Sequence, residues 1–377
     1  MPAPPWPGVT DEEVRLAAHG LGPTAGPPGW LDAMPWTWLR DTCRDRQILP
    51  FLVEALAEGA RALQPGEADD LRQLLAEELA AAVILECELL DVARILDDEG
   101  VVFRVLKGVA NAHLDYASPA QRLFGDLDLL VAAEHLELAK VALEARGYRR
   151  ERPERHAGFD ARYEKGLTLV SPGAIAELDL HRTLVSGPFG LCFDPACLFT
   201  PTEHFDLAGH RLPALGREER FVHACVSATI SDPVPRLRPA RDVVQLLLHP
   251  DLDADRAIAV AGRLGLGVVA ARGVTQSVDG LALVGEVAEQ PIVRWARTYV
   301  ASRREEARWA AYVGPRSSYV RRAWGSFVEL PGVRSRAGYA VGMLRTGRDV
   351  TGTPLRTRIR RGVAAVPGRS GRAPEAD

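Results

Sequence analysis

The stretch Arg122-Leu123-Phe124-Gly125-Asp126-Leu127-Asp128-Leu129-Leu130-Val131 decides how this chain is read. Alternate residues of a strand face the same way. A strand over 126–131 therefore sends Leu127 and Leu129 into a core and sets Asp126 and Asp128 together on the opposite face. Two adjacent carboxylates repel each other, and a divalent cation between them relieves that repulsion. Magnesium suits such an open site because it combines carboxylates with water and phosphate oxygens.

Upstream, VVFRVL (101–106) is β-branched and apolar between Gly100 and Gly108, the pattern of a preceding strand. It ends in Leu106-Lys107-Gly108. The glycine allows close backbone approach at the start of a short helix over 110–117, and helix N-terminal N–H groups suit phosphate oxygens. Lys107 adds a positive charge there, and Arg122 offers another just ahead of the acidic strand. Only three residues of the chain are lysine, which makes Lys107 more informative than a lysine usually is.

Downstream, residues 134–146 form an amphipathic helical pattern ending at Gly147. The segment 161–184 reads as two strands, ARYEKGLTLV and AIAELDLH, joined by Ser171-Pro172-Gly173. On the second, Glu177, Asp179 and His181 share a face. If it lies beside the first acidic strand, Asp179 completes a three-carboxylate cluster able to hold two metals about 3.5–4 Å apart. His181 is placed to contact a phosphate or to orient Asp179.

These elements predict an α+β fold: a small mixed sheet with helices, flanked by N-terminal and C-terminal helical regions. The expected organisation is a loosely packed Pro/Gly-rich lead-in over 1–34 and an N-terminal helical region over 35–98. A catalytic core over 99–199, a helical domain over 200–330 and a basic, flexible tail over 331–377 follow. Residues 294–372 hold 18 Arg against 4 acidic residues, a net +14, while the whole chain carries −4. Asymmetry of this kind fits an anionic partner or an internal acidic surface. Five scattered cysteines make a poor disulfide framework, so no disulfide is expected. No apolar run is long enough to span a membrane and the N-terminus lacks a signal-peptide pattern. A cytoplasmic protein without a membrane partner is the expectation.

Leu106-Lys107-Gly108, Arg122 with Gly125-Asp126-Leu127-Asp128-Leu129-Leu130-Val131, and Asp179-Leu180-His181 together resemble the polymerase-β-like nucleotidyltransferase superfamily. They are most similar to its bacterial family with Leu-Lys-Gly, Arg before Gly-Asp-x-Asp, and a later Asp-Leu-His. The motifs cover about 101–184. Arg241-Asp242-Val243 is a weaker, distal point of similarity. The resemblance implies transfer of a nucleoside monophosphate from an NTP to an acceptor, with release of pyrophosphate and with Mg²⁺ or Mn²⁺ as cofactor. It implies Asp126, Asp128 and Asp179 as catalytic metal ligands. Lys107, Gly108, Arg122, Gly125 and His181 would serve the nucleotide and its phosphates. One departure is that Val109 follows Gly108 where the wider superfamily has Ser or Gly, which leaves phosphate binding to Lys107 and backbone N–H groups.

The acceptor (protein, peptide, RNA or small molecule) is not named by the sequence. Two other readings stand beside this one. A catalytically inactive module of the same fold would bind an anionic partner. An Asp-x-Asp glycosyltransferase would need a nucleotide-binding α/β region before the acidic pair, and residues 1–100 are helical in pattern instead.

Overall fold

The computed structural model describes residues 6, 8–22, 29–231, 236–313 and 319–344. Helix α1 (Asp11–Ala17) is started by Thr10, whose side chain accepts from the Glu13 N–H while Glu13 bonds back to Thr10. Helices α2 (Trp36–Asp45) and α3 (Leu49–Ala57) are separated at Gln47, which turns with φ +58°. Helix α4 (Pro65–Asp98) is the long Ala/Leu/Glu-rich segment, with Pro65 in its first turn. It ends before Gly100, which has φ +67°.

Strand β1 (Phe103–Val105), helix α5 (Lys107–Leu114), strand β2 (Leu127–Val131) and helix α6 (Leu136–Ala145) follow. A short strand β3 (Arg149–Arg150) and helix α7 (Phe159–Tyr163) come next. Thus Ala161-Arg162-Tyr163, expected to open a strand, is helical, and β4 (Gly166–Val170) starts after it. The helix is held by Phe159 and Tyr163, which pack in an aromatic cluster with Tyr339, a contact that no local pattern reveals. Strand β5 (Glu177–His181) carries the second acidic motif.

Residues 202–215, at the start of the stretch read as helical, form a hairpin of β6 (Thr202–Leu207) and β7 (His210–Leu215). Ala208 and Gly209 both have positive φ at its turn, and Phe205, Leu207, Leu212 and Ala214 alternate inward. Helices α8 (Arg217–Thr229), α9 (Leu237–Leu247), α10 (Ala254–Arg263) and α11 (Gly267–Gly280) then follow, as do α12 (Pro291–Thr298), α13 (Arg303–Trp309), α14 (Tyr319–Glu329) and α15 (Gly332–Leu344).

The seven strands make one mixed sheet in the order β3-β4-β5-β2-β1-β7-β6. Strands β2 and β5 are parallel neighbours, β1 is antiparallel to β2, and β7 is parallel to β1. One core cluster joins Leu127, Leu129 and Val131 to Leu89, Val92 and Leu96 of α4 and to Leu143 of α6. A larger one, reached by Leu130, joins the N-terminal helices to α8–α12. Asp128 therefore faces the helical side.

Two regions expected to be loose are packed. Trp6, Val14 and Leu16 of the lead-in are buried in the larger core. A Cβ on Gly280 would lie 2.6 Å from the Trp6 ring, so that glycine makes room for it. The first part of the expected tail is helix α15, whose Gly342 sits against Phe159, where a Cβ would approach the ring to 2.1 Å. Burial of these aromatic groups supplies stability that composition alone does not reveal. Residues 345–377, the rest of the expected tail, lie outside the described residues. No described helix is long and apolar enough to cross a membrane.

Candidate active site

The site is made by register. Asp128 of β2 lies directly opposite Asp179 of β5, and Leu130 lies opposite His181. In parallel strands, opposed residues project to the same face, so the carboxylates of Asp128 and Asp179 converge. Asp128, Asp179 and His181 each offer a ligand atom, and these atoms lie within 4.8 Å of one another. Asp126 stands outside this group, because β2 begins only at Leu127 and strict alternation does not extend back to residue 126. Its charge still acts on Lys107 and Lys165.

Asp128 is buried. Burial alone would favour its neutral form, but Lys107 and a hydrogen bond from His181 outweigh it and hold the carboxyl far below the usual carboxylate range. Lys107 Nζ lies 3.1 Å from Asp128 Oδ2. At that distance the ammonium group donates to the carboxylate within the ion pair. His181 Nε2 is 2.7 Å from Asp128 Oδ1. Burial, and then the positive charge of Lys165, lower the pKa of His181, so the neutral ring donates Nε2–H and leaves Nδ1 without a partner. Asp179 is more open, with a side chain 37% exposed, and accepts from Thr168 Oγ1 at 2.5 Å. The two carboxylates are oxygen donors of the kind Mg²⁺ or Mn²⁺ takes, while the Nε2–H of His181 is spent on Asp128.

The remaining expected site residues are distributed differently. Lys107 opens α5, and the helix is interrupted at Gly108 (φ 16°, ψ −97°). Val109 is buried in the core, which accounts for an apolar residue where the wider superfamily has a small or hydroxylated one. Gly125 is exposed and immediately precedes Asp126 in the chain. Arg122 is turned to a structural task. Its Nε and Nη2 donate to Asp242 Oδ1 and Oδ2 at 3.1 and 2.8 Å, and Nη1 donates to the Leu123 carbonyl. Both partners are buried, and Tyr116 donates its hydroxyl to the same Asp242. Arg122 thus ties the approach to β2 onto α9. A similar pair, Arg220 with Asp115 and Glu203, ties α8 to the end of α5 and to β6.

Two basic groups escaped the sequence reading. Lys165, just before β4, is half-buried, and its charge acts on Asp128, Asp179 and Asp126. Burial and then repulsion from Lys107 outweigh those carboxylates and lower its pKa. The signal was available: two of the chain's three lysines meet at one site. His223 of α8 is buried nearby, and burial followed by Lys107 and Lys165 holds its pKa well below the ordinary value.

The His223 shift has a measurable consequence. The native state keeps the ring neutral, while the unfolded chain takes up a proton below about pH 6.5. Stability from this group is full above that pH and falls as the medium becomes more acidic. Unfolding in urea at neutral pH and at pH 5 should show this loss, at most about 2 kcal/mol from His223. His223→Gln should flatten the profile, and an unchanged slope would refute the assignment.

The model of a family described as uncharacterised nucleotidyltransferases matches residues 32–276, well over half of the chain. Comparison with curated proteins gives no match. The matched span contains the acidic strands, both lysines, the hairpin and the Arg122–Asp242 pair. Fold, paired acidic strands and family model agree, and the chain belongs to this family of nucleotidyltransferases.

Proposed function

We propose that the protein transfers a nucleoside monophosphate from an NTP to an acceptor hydroxyl and releases pyrophosphate. The observation that carries this reading is the direct opposition of Asp128 and Asp179, with His181 beside them. A divalent cation would be held by Asp128 and Asp179, with Asp126 next to them. When bound, it supplies charge neutralisation to the triphosphate and acidifies the acceptor hydroxyl.

The protein's own groups then divide the work. Lys107 and Lys165 flank the carboxylates and receive phosphate oxygens, together with backbone N–H groups at the start of α5. His181 fixes the orientation of Asp128. Asp179, the more open carboxylate, accepts the acceptor's proton as its oxygen bonds to the α-phosphorus and the bond to pyrophosphate breaks. Positioning and electrostatics carry the rate, as in other phosphoryl-type transfers.

The test is incubation with α-labelled NTPs, Mg²⁺ or Mn²⁺ and cell extract, against an Asp128→Asn/Asp179→Asn control. Equal labelling by the two proteins rejects the proposal. Lys165→Met should raise the KM for NTP by roughly tenfold or more, the loss expected for a charge-assisted phosphate contact. An unchanged KM would remove Lys165 from the nucleotide site.

One observation favours a second reading. Asp128 already has Lys107 and His181 as partners, so the site is internally compensated, as an inactive anion-binding module requires. Calorimetric titration distinguishes the two: heat on adding Mn²⁺ supports transfer, and silence toward both Mn²⁺ and NTP supports the module.

A further inference from the structure

A cleft of about 330 Å³ runs between α2, α4, the approach to β2, the turn before β5 and the start of α9. Its walls are apolar where Leu85, Leu123, Phe124 and Ile175 line it. Ile84 and Ile175 on its border are 50% and 58% exposed, an apolar rim left open to solvent. Gly125, the residue before Asp126, is among its lining residues. A Cβ added at Gly125 would meet nothing within 4 Å, so the space beside it is open.

Arg238 of α9 forms part of the same wall. It donates Nη1 to the Leu123 carbonyl at 3.1 Å, while its buried Nε has no partner. Among the described residues no carboxylate lies within the 4.0 Å ion-pair distance of Arg238. The neighbouring Asp242 is taken up by Arg122. Burial, with Arg122 beside it, pushes the Arg238 guanidinium down to about 10. The other charged groups on the wall, Arg44 and Glu78, face each other at 3.9 Å. The cleft therefore combines apolar walls with a cation that has no carboxylate in ion-pair contact among the described residues, though its charge reaches Asp242 and Asp126. The phosphate-binding candidates Lys107 and Lys165 gather instead around Asp128 and Asp179.

We propose that this cleft seats the acceptor, and that the acceptor joins an apolar body to an anionic group of carboxylate, phosphate or sulfonate type, received by Arg238. The word acceptor rests on the transferase reading; the binding chemistry does not.

The probe is 1-anilinonaphthalene-8-sulfonate, an apolar ring system with one anion, compared with N-phenyl-1-naphthylamine, which lacks the sulfonate. Fluorescence titration of the full chain should show saturable binding of both, tighter for the sulfonate. Arg238→Met should weaken the sulfonate about tenfold or more and leave the neutral probe unchanged. Ala81→Trp, which fills the cleft from an exposed position on α4, should remove both signals. Thermal unfolding controls for folding of each variant. Equal affinity of wild type and Arg238→Met for the sulfonate would overturn the proposal, as would a signal that survives Ala81→Trp. Displacement by metal-free ATP would give the cleft to the nucleotide and also overturn it. Asp179→Asn should keep both probes. An inactive enzyme with intact probe binding would refute the transferase reading alone.

Discussion

Under the proposed function, Asp128→Asn is expected to lower kcat/KM for nucleotidyl transfer by at least about a thousandfold. The size follows from where Asp128 sits. It is buried, ionised and shared by Lys107, His181 and the proposed metal position between the opposed strands. Asparagine keeps the shape but removes the charge that would hold a cation and that orders both neighbours. Lys107 then loses its compensating carboxylate, and its side chain, 27% exposed, can turn toward water. The variant should therefore fold, which circular dichroism and thermal unfolding would verify. Retention of more than about a tenth of the activity in a folded Asp128→Asn protein would end the proposed mechanism. Calorimetry should in parallel show loss of Mn²⁺ binding, separating a metal defect from a failure to bind NTP.

The second large effect is on stability. Asp242→Leu should cost about 3–5 kcal/mol of unfolding free energy, because it leaves a fully desolvated Arg122 and the Tyr116 hydroxyl without their acceptor. The pair is buried on both sides, with side chains 4% exposed each, so water cannot replace the lost partner. Arg122→Met/Asp242→Leu removes both charges together and should recover most of that loss, since an apolar pair of similar volume no longer carries an uncompensated charge. Urea unfolding of the three proteins measures the difference. A single substitution costing less than about 1 kcal/mol would show that Arg122 is not a structural tie and would return it to the list of phosphate ligands.

How far the site was legible follows from the kind of information each residue carries. Asp128, Asp179 and His181 were readable because strand periodicity and spacing are local: the alternation of Asp128 with Leu127 and Leu129 states which face each occupies. The grouping of Asp126 with them was not readable, because it depends on where β2 begins. Arg122 and Asp242 stand in separate motifs of the sequence, yet they form one ion pair across 120 residues. Lys165 was missed because its segment was read as the middle of a strand, whereas it lies at the junction between α7 and β4. The β6–β7 hairpin escaped because its alternation is short and Pro213 interrupts it.

The acidic strands, the long N-terminal helix and the helical character after residue 216 are legible in the sequence alone. All of these depend on side-chain periodicity and breaker residues within a few positions of each other. Only the tertiary structure decided that β2 and β5 are parallel neighbours in a register that opposes Asp128 to Asp179. It also decided that Arg122 is spent on Asp242 while Arg238 has no such partner among the described residues, and that Lys165 comes close enough for its charge to act on the carboxylates. Strand order and the partner of a buried charge are settled by which surfaces can be desolvated together, a property of the whole folded chain.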